Sequence, residues 1–187
     1  MKNIEKTYEN GTKNKKLFFA LLVLCSLLAI LAFMLKIYDY ETSIVYRNNL
    51  NWVQDQSASC HMEQNHSCAK EFELVRSTGK LVVSVRTITW KKKHKDRYMI
   101  VSLWKDNIGG KLVREEKFSM DDIVDQSIYD FTLSNLDLSV GKYVISFTSD
   151  EENQPIALAI DRNQIGKQYI RDGNIIENED LKISIMR

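Results

Sequence analysis

Hydrophobic and polar positions follow two regimes along this chain. From Leu17 to Leu35 the run LFFALLVLCSLLAILAFML holds nineteen residues without a charge. As a helix rising 1.5 Å per residue it covers roughly 28 Å, close to the hydrocarbon thickness of a bilayer. This predicts one membrane-crossing helix over residues 17–37. Beyond about Lys70 the period becomes two. Apolar residues alternate at Leu81, Val83, Val85; Met99, Val101, Leu103; Tyr129, Phe131, Leu133; Tyr143, Ile145, Phe147; Ile156, Leu158, Ile160; and Leu181, Ile183, Ile185. Alternation buries one face of a strand and wets the other, the pattern of antiparallel sheets.

Eight runs carry the strand signal: 72–76, 81–90, 98–104, 112–118, 128–133, 143–148, 156–160 and 181–186. Turn residues fill the gaps, among them Ser77-Thr78-Gly79, Asp106 to Gly110, Ser139-Val140-Gly141 and Asp172-Gly173-Asn174. About eight strands without a second long helix predict an all-β sandwich. A jelly roll suits the count better than an immunoglobulin fold, whose Cys–Trp–Cys core is absent. The chain therefore divides into a tail (1–16), a transmembrane signal anchor (17–37), a stalk (38–69) and a sandwich (70–187).

Charge around the span sets its orientation. Lys2, Lys6, Lys13, Lys15 and Lys16 precede it against Glu5 and Glu9, while Lys36, Asp39, Glu41 and Arg47 follow. The positive-inside bias predicts a cytoplasmic N-terminus and an extracytoplasmic body on a single-pass cell-membrane protein. A cleaved signal peptide is the rival, but the run is longer than such a core and passes through Phe33, Met34 and Leu35 into Lys36 without a small-residue exit. Lipoprotein processing at Cys25 is disfavoured by the bulky Leu24 before it.

Over the whole chain 26 basic side chains balance 25 acidic ones, so no bulk field points to nucleic acid. Cys60 and Cys68 fall in the exported part, where an oxidising compartment permits a disulfide closing CHMEQNHSC. Cys60, His61, His66 and Cys68 form an alternative metal set, but their spacing matches no established zinc module. The disulfide is the expectation, with no metal and no cofactor.

Trp90-Lys-Lys-Lys-His-Lys-Asp-Arg-Tyr98 joins two strong runs and reads as a hairpin. It gathers Lys91, Lys92, Lys93, Lys95 and Arg97 between aromatics, a composition suited to a polyanion. The plainer reading is a solvated loop whose charges discourage edge pairing. Trp52, Trp90 and Trp104 are candidate sugar-stacking faces, though such residues more often pack as core or cover. Ser77-Thr-Gly-Lys80 and Ser139-Val-Gly-Lys142 match S-x-x-K, yet both sit in turns and no K-T-G or S-D-N accompanies them. The chain is therefore not read as an enzyme.

Leu138-Ser-Val-Gly-Lys-Tyr-Val-Ile-Ser-Phe147 resembles the L-x-x-G-x-Y approach to a late strand in galactose-binding-like and carbohydrate-binding-module-like jelly rolls. Tyr169-Ile-Arg-Asp-Gly173 and Asp180-Leu-Lys-Ile-Ser-Ile185 are similar to the terminal strands of such domains in bacterial envelope membrane proteins. The resemblance covers about residues 70–187 and implies a jelly roll that binds carbohydrate or another envelope polymer. The expected ligand-binding residues are Trp90, Tyr98, Trp104, Lys91, Lys92, Lys93, Lys95 and Arg97. Expected partners are the lipid bilayer and either an envelope polysaccharide or a larger membrane protein. In the second case the chain is a small bitopic accessory subunit whose sandwich docks without a ligand pocket.

Overall fold

The computed structural model describes residues 2–51, 57–152 and 156–187, which form two compact units, residues 1–43 and 44–187. The first unit is one helix, α1, Lys2–Ser43. It continues past the apolar run on both sides because no proline occurs before residue 155 and the flanks carry Lys and Glu, which tolerate a helix. Phe18 to Tyr40 is a 23-residue candidate membrane span whose side chains are all exposed. Ser26 Oγ donates to the carbonyl of Leu22 at 2.9 Å, so its hydroxyl is satisfied within the helix, as an apolar solvent demands.

The second unit is an all-β sandwich, with thirteen strands among the described residues, in two antiparallel sheets. In chain order they are β1 Ile44–Arg47, β2 Ser57–Met62, β3 Cys68–Leu74, β4 Leu81–Ile88, β5 Tyr98–Lys105, β6 Lys111–Ser119, β7 Ile128–Leu133, β8 Gly141–Ser149, β9 Ile156–Arg162, β10 Gln168–Arg171, β11 Asn174–Glu177, β12 Glu179–Leu181 and β13 Ile183–Met186.

The pairing has a simple logic. If the chain is doubled back at the β5–β6 turn, β5 pairs with β6, β4 with β7, β3 with β8 and β2 with β9. This long antiparallel ribbon wraps on itself, so β2-β9-β4-β7 fall in one sheet and β3-β8-β5-β6 in the other. Eight strands in that arrangement make a jelly roll. The larger sheet is extended by β1, β12 and β13, and the smaller by β10 and β11.

Inward side chains follow the alternation read from sequence: Leu81, Val83, Val85, Met99, Val101, Leu103, Phe131, Leu133, Ile145 and Phe147 have no solvent exposure. Burying each such side chain is worth about 1.5–3 kcal/mol, which sets the register of both sheets.

Three expectations are corrected here. The sandwich begins at Ile44 rather than at residue 70: β1 follows α1 directly, and β2 contributes Cys60 and Met62 to the core, so residues 38–69 are no stalk. The sequence around β2 lacked a strand signal because its inward positions are a cysteine and a methionine among polar alternates. The strand count exceeds eight because β1 and β10 to β12 are only three or four residues long, too short to show periodicity. Finally, β4 and β5 lie in different sheets, so the basic segment 89–97 is a crossover between sheets and not a hairpin.

The Cys60–Cys68 disulfide is formed, with both residues fully buried and Cα atoms 6.1 Å apart. Because β2 and β3 belong to opposite sheets, the bond spans the sandwich. A polar cluster closes another part of the interior. Lys70 Nζ lies 2.7 Å from Asp180 Oδ1 and donates to the Gln168 carbonyl at 2.8 Å, while the Tyr46 hydroxyl donates to Asp180 Oδ2. Burial, reinforced by the Asp180 carboxylate, raises the Tyr46 hydroxyl pKa well above its ordinary value. Burial lowers that of Lys70, partly offset by Asp180. A second buried pair, Lys182 with Asp161, sits where the C-terminal chain leaves β9 and joins β4.

Candidate functional site

The wrapped ribbon sorts the sheet-changing loops by end. Segments 63–67, 89–97, 120–127 and the part of the β8–β9 connection at 150–152 gather at one end of the sandwich, the last three tied by hydrogen bonds and 63–66 lining a shared cleft with Glu151 and Glu152. Segments 75–80 and 134–140 meet at the other, through the Thr78–Leu138 bridge, and the β5–β6 turn joins them there. The basic crossover belongs to the first end.

Its backbone is pinned rather than free. Asp125 Oδ1 accepts from the Thr89 and Trp90 amides at 2.7 and 2.9 Å, and Asp121 Oδ1 accepts from the Asp96 amide at 2.7 Å. Asp150 Oδ1 accepts from the Tyr98 amide at 2.8 Å, and Arg97 donates to the Asp150 carbonyl at 3.2 Å. Trp90, Lys91 and Asp96 hold left-handed φ values of 51, 62 and 58° without being glycine. Such backbone costs on the order of 1–3 kcal/mol per residue, and the aspartate caps offset it.

His94, read from sequence as one more loop residue among lysines, is instead the loop's inward anchor. It is 2% exposed, with Nδ1 3.3 Å from Glu151 Oε2, and its Nε2 has no hydrogen-bond partner. Lys91, Lys92, Lys93 and Lys95 remain exposed, and no carboxylate among the described residues pairs with them. Trp90 and Tyr98 are 44% and 42% exposed.

The expected ligand set is divided by this geometry. Trp90 follows β4 in the larger sheet, and Tyr98 opens β5 in the smaller, both at the end carrying the lysines. Trp104 is six residues farther along β5, about 20 Å away at strand rise. It pairs in register with Leu112 and Val144, and its Nε1 donates to Ser146 Oγ at 3.0 Å. It covers the outer face of the smaller sheet and does not join the loop cluster. Trp52 lies outside the described residues. Cys60 and Cys68 are consumed in the disulfide, so the four-residue metal set does not form, and no group of three ligating side chains converges among the described residues.

Sequence reasoning missed a second set at the neighbouring edge of the sandwich. Ser59 and His61 point outward from β2, Glu63 and His66 come from the β2–β3 loop, and Arg171 and Asp172 come from the β10–β11 hairpin. Together they line a cleft of about 310 Å³. Asp172 and Gly173 form the two-residue turn of that hairpin at φ 50 and 78°, the left-handed pair that Asp-Gly favours. Asp172 Oδ1 accepts from the Ser67 amide at 2.7 Å, and its Oδ2 lies 3.0 Å from His66 Nδ1. Hydrogen bonding to Asp172 raises the His66 pKa above its ordinary value. The Asp172 carboxyl is pushed up by burial but pulled down further by His66 and the Ser67 amide, ending below its usual range. His61 also meets Trp90 edge-on, ring centroids 5.1 Å apart, so the cleft abuts the basic crossover.

No protein-family model matches the chain, and no curated protein matches it. Among solved structures, that of infectious bursal disease virus Gx strain is similar over 76% of this chain and 36% of that one, at 9% identity and a TM-score of 0.26. The chain thus spans about a third of that chain's length, and a likeness at this score supports no conclusion.

Proposed function

We propose that this chain is a membrane-anchored, non-enzymatic binding module that holds its sandwich outside the cytoplasm and grips a carbohydrate or other envelope polymer with the 63–67, 89–97 and 120–127 loop end. The observation that carries this reading is the basic crossover: four exposed lysines, unpaired among the described residues, and two half-exposed aromatics on a backbone fixed in advance by three aspartates. Pre-fixing a loop lowers the entropy lost on binding. Asp121, Asp125 and Asp150 hold backbone amides and form no ion pair with the four lysines among the described residues, which leaves the ammonium groups exposed for an anionic polymer to contact. The disulfide suits an oxidising compartment, and the lysine excess before the span supports the N-in orientation. The resemblance to carbohydrate-binding jelly rolls points the same way, although that architecture hosts many functions.

The alternative, docking onto a larger membrane protein, draws support from Val124 and Ile128, 65% and 47% exposed beside the crossover.

Full-length protein in neutral-lipid nanodiscs is the material for the test. Binding of anionic polysaccharides that weakens with salt and drops when Lys91, Lys92, Lys93 and Lys95 become Gln supports the polymer reading. Absence of polymer binding, with co-purification of one membrane protein lost on Val124→Asp, would replace it with docking.

A further inference from the structure

The cleft beside the crossover combines chemistry that the lysines do not provide. Of the Arg171 N–H groups only one, on Nη2, has a protein acceptor among the described residues, the Tyr169 hydroxyl; the guanidinium lies over the Tyr169 ring at 5.5 Å, and its buried Nε has no hydrogen-bond partner among the described residues. A guanidinium with so little of its donor capacity used stands ready for an acceptor. Asp172 spends one acceptor site on each oxygen and keeps others. Glu63, on the opposite wall, has no ion-pair or hydrogen-bond partner for its carboxylate among the described residues, and neither does the His61 ring. Ser59 adds a hydroxyl that both gives and takes.

This mixture discriminates among ligand classes. With carboxylates at Glu63 and Asp172 beside Arg171 and His66, the cleft has no excess of positive charge to draw an anion. A metal ion would need three convergent ligands, and none converge among the described residues. An apolar ligand would leave all these groups unpaired. A neutral polyol fits, because each hydroxyl donates one hydrogen bond and accepts another. Acceptors at Glu63 and Asp172 and donors at Arg171, Ser59 and His61 can pair with adjacent hydroxyls on a single ring. About 310 Å³ lies at the low end for small-ligand sites, enough for one sugar unit. Trp90, touching His61, offers an apolar face at the rim.

We propose that Ser59, His61, Glu63, His66, Arg171 and Asp172 form a subsite for one neutral, hydroxyl-rich sugar unit. This rests on the polymer reading above and deepens it: the subsite reads the ring while the lysines meet charge farther along the chain. The disulfide has a place in the design. Cys60 lies between Ser59 and His61, and Cys68 follows the Ser67 whose amide holds Asp172, so one covalent bond fixes both walls.

The test uses full-length protein in neutral-lipid nanodiscs with dextran, mannan and galactan as neutral probes and alginate and heparin as anionic ones. At least one neutral polymer should bind with little salt dependence. Its affinity should fall about tenfold or more in Glu63→Gln and in Arg171→Lys, each losing a hydrogen bond to a charged group, with melting unchanged. Lys80→Gln, at the opposite end of the sandwich, should leave that binding intact, while the variant with Lys91, Lys92, Lys93 and Lys95 changed to Gln is read against the anionic probes. Neutral binding that survives both cleft variants overturns the subsite. Binding of anionic polymers alone, lost with the lysines, also overturns it while the polymer reading stands. No binding of any probe overturns both.

Discussion

Lys70 and Asp180 meet at 2.7 Å with side chains 6% and 0% exposed, one from each sheet of the sandwich. Two opposite charges removed from water gain little over a well-packed apolar pair, but each depends heavily on the other. Asp180→Ala should destabilise the protein by roughly 3–5 kcal/mol, because Lys70 then has no counter-charge in the interior. Lys70→Met combined with Asp180→Ala should cost much less than the sum of the two single changes. Urea denaturation of the four proteins measures the coupling, and strict additivity would show the pair to be independent.

The disulfide predicts a global effect. Closing the short loop between residues 60 and 68 should contribute roughly 2–3 kcal/mol, and because the bond joins opposite sheets its loss is felt by the whole core. Cys60→Ala with Cys68→Ala should lower the melting temperature by about 5–10 °C. In native membranes neither thiol should be alkylated until reductant is added. A melting temperature unchanged in the double variant would count against a bridge that ties the sheets.

The His66–Asp172 contact gives a pH window. The His66 pKa is raised, so its contribution is complete below about pH 6.5 and is lost as pH climbs through the raised value. The Asp172 pKa is lowered, so its contribution is present above about pH 3.9 and is lost as acid takes pH through the lowered value. The contact is therefore strongest in mild acid. A histidine titration followed by NMR should place His66 above the ordinary range, and Asp172→Asn should bring it down. An unmoved titration in that variant would show that Asp172 does not set it.

Removing one cap should loosen the crossover alone. In Asp125→Ala the Thr89 and Trp90 amides lose their acceptor, at a cost of about 1–2 kcal/mol. Hydrogen exchange at these two amides should accelerate while that of Val83 and Val101 stays slow. Equal acceleration in the core strands would mean the loop and the sandwich open together.

Much of this architecture was legible from the chain. Period-two runs such as Leu81-Val83-Val85 named their own buried faces, and the nearness of Cys60 to Cys68 in sequence made their pairing readable. What could not be read were relations that depend on wrapping. A nine-residue connection between β4 and β5 suits a hairpin or a crossover equally, so the segment's charge was visible but its setting was not. His94 looked solvated among lysines because nothing local foretells Glu151 beneath it. The cleft was hidden more deeply still. Its walls come from residues 59–66 and 171–172, and β10 and β11 are too short to announce the hairpin that brings them together, though the Asp-Gly turn itself was visible.

The pairing of Ile44 with Met186 brings the first and last strands of the sandwich side by side, antiparallel, with Ile44 opposite the C-terminal end of β13. The domain is therefore close to a closed ring in connectivity. A few residues of glycine and serine from Arg187 back to Ile44 would complete it, and the ring could be cut at the β5–β6 turn, residues 106–110, far from the basic crossover. Such a circular permutant would display both new termini at that turn. The loops at the basic-crossover end would remain uninterrupted, ready for grafting onto a support at a site of choice.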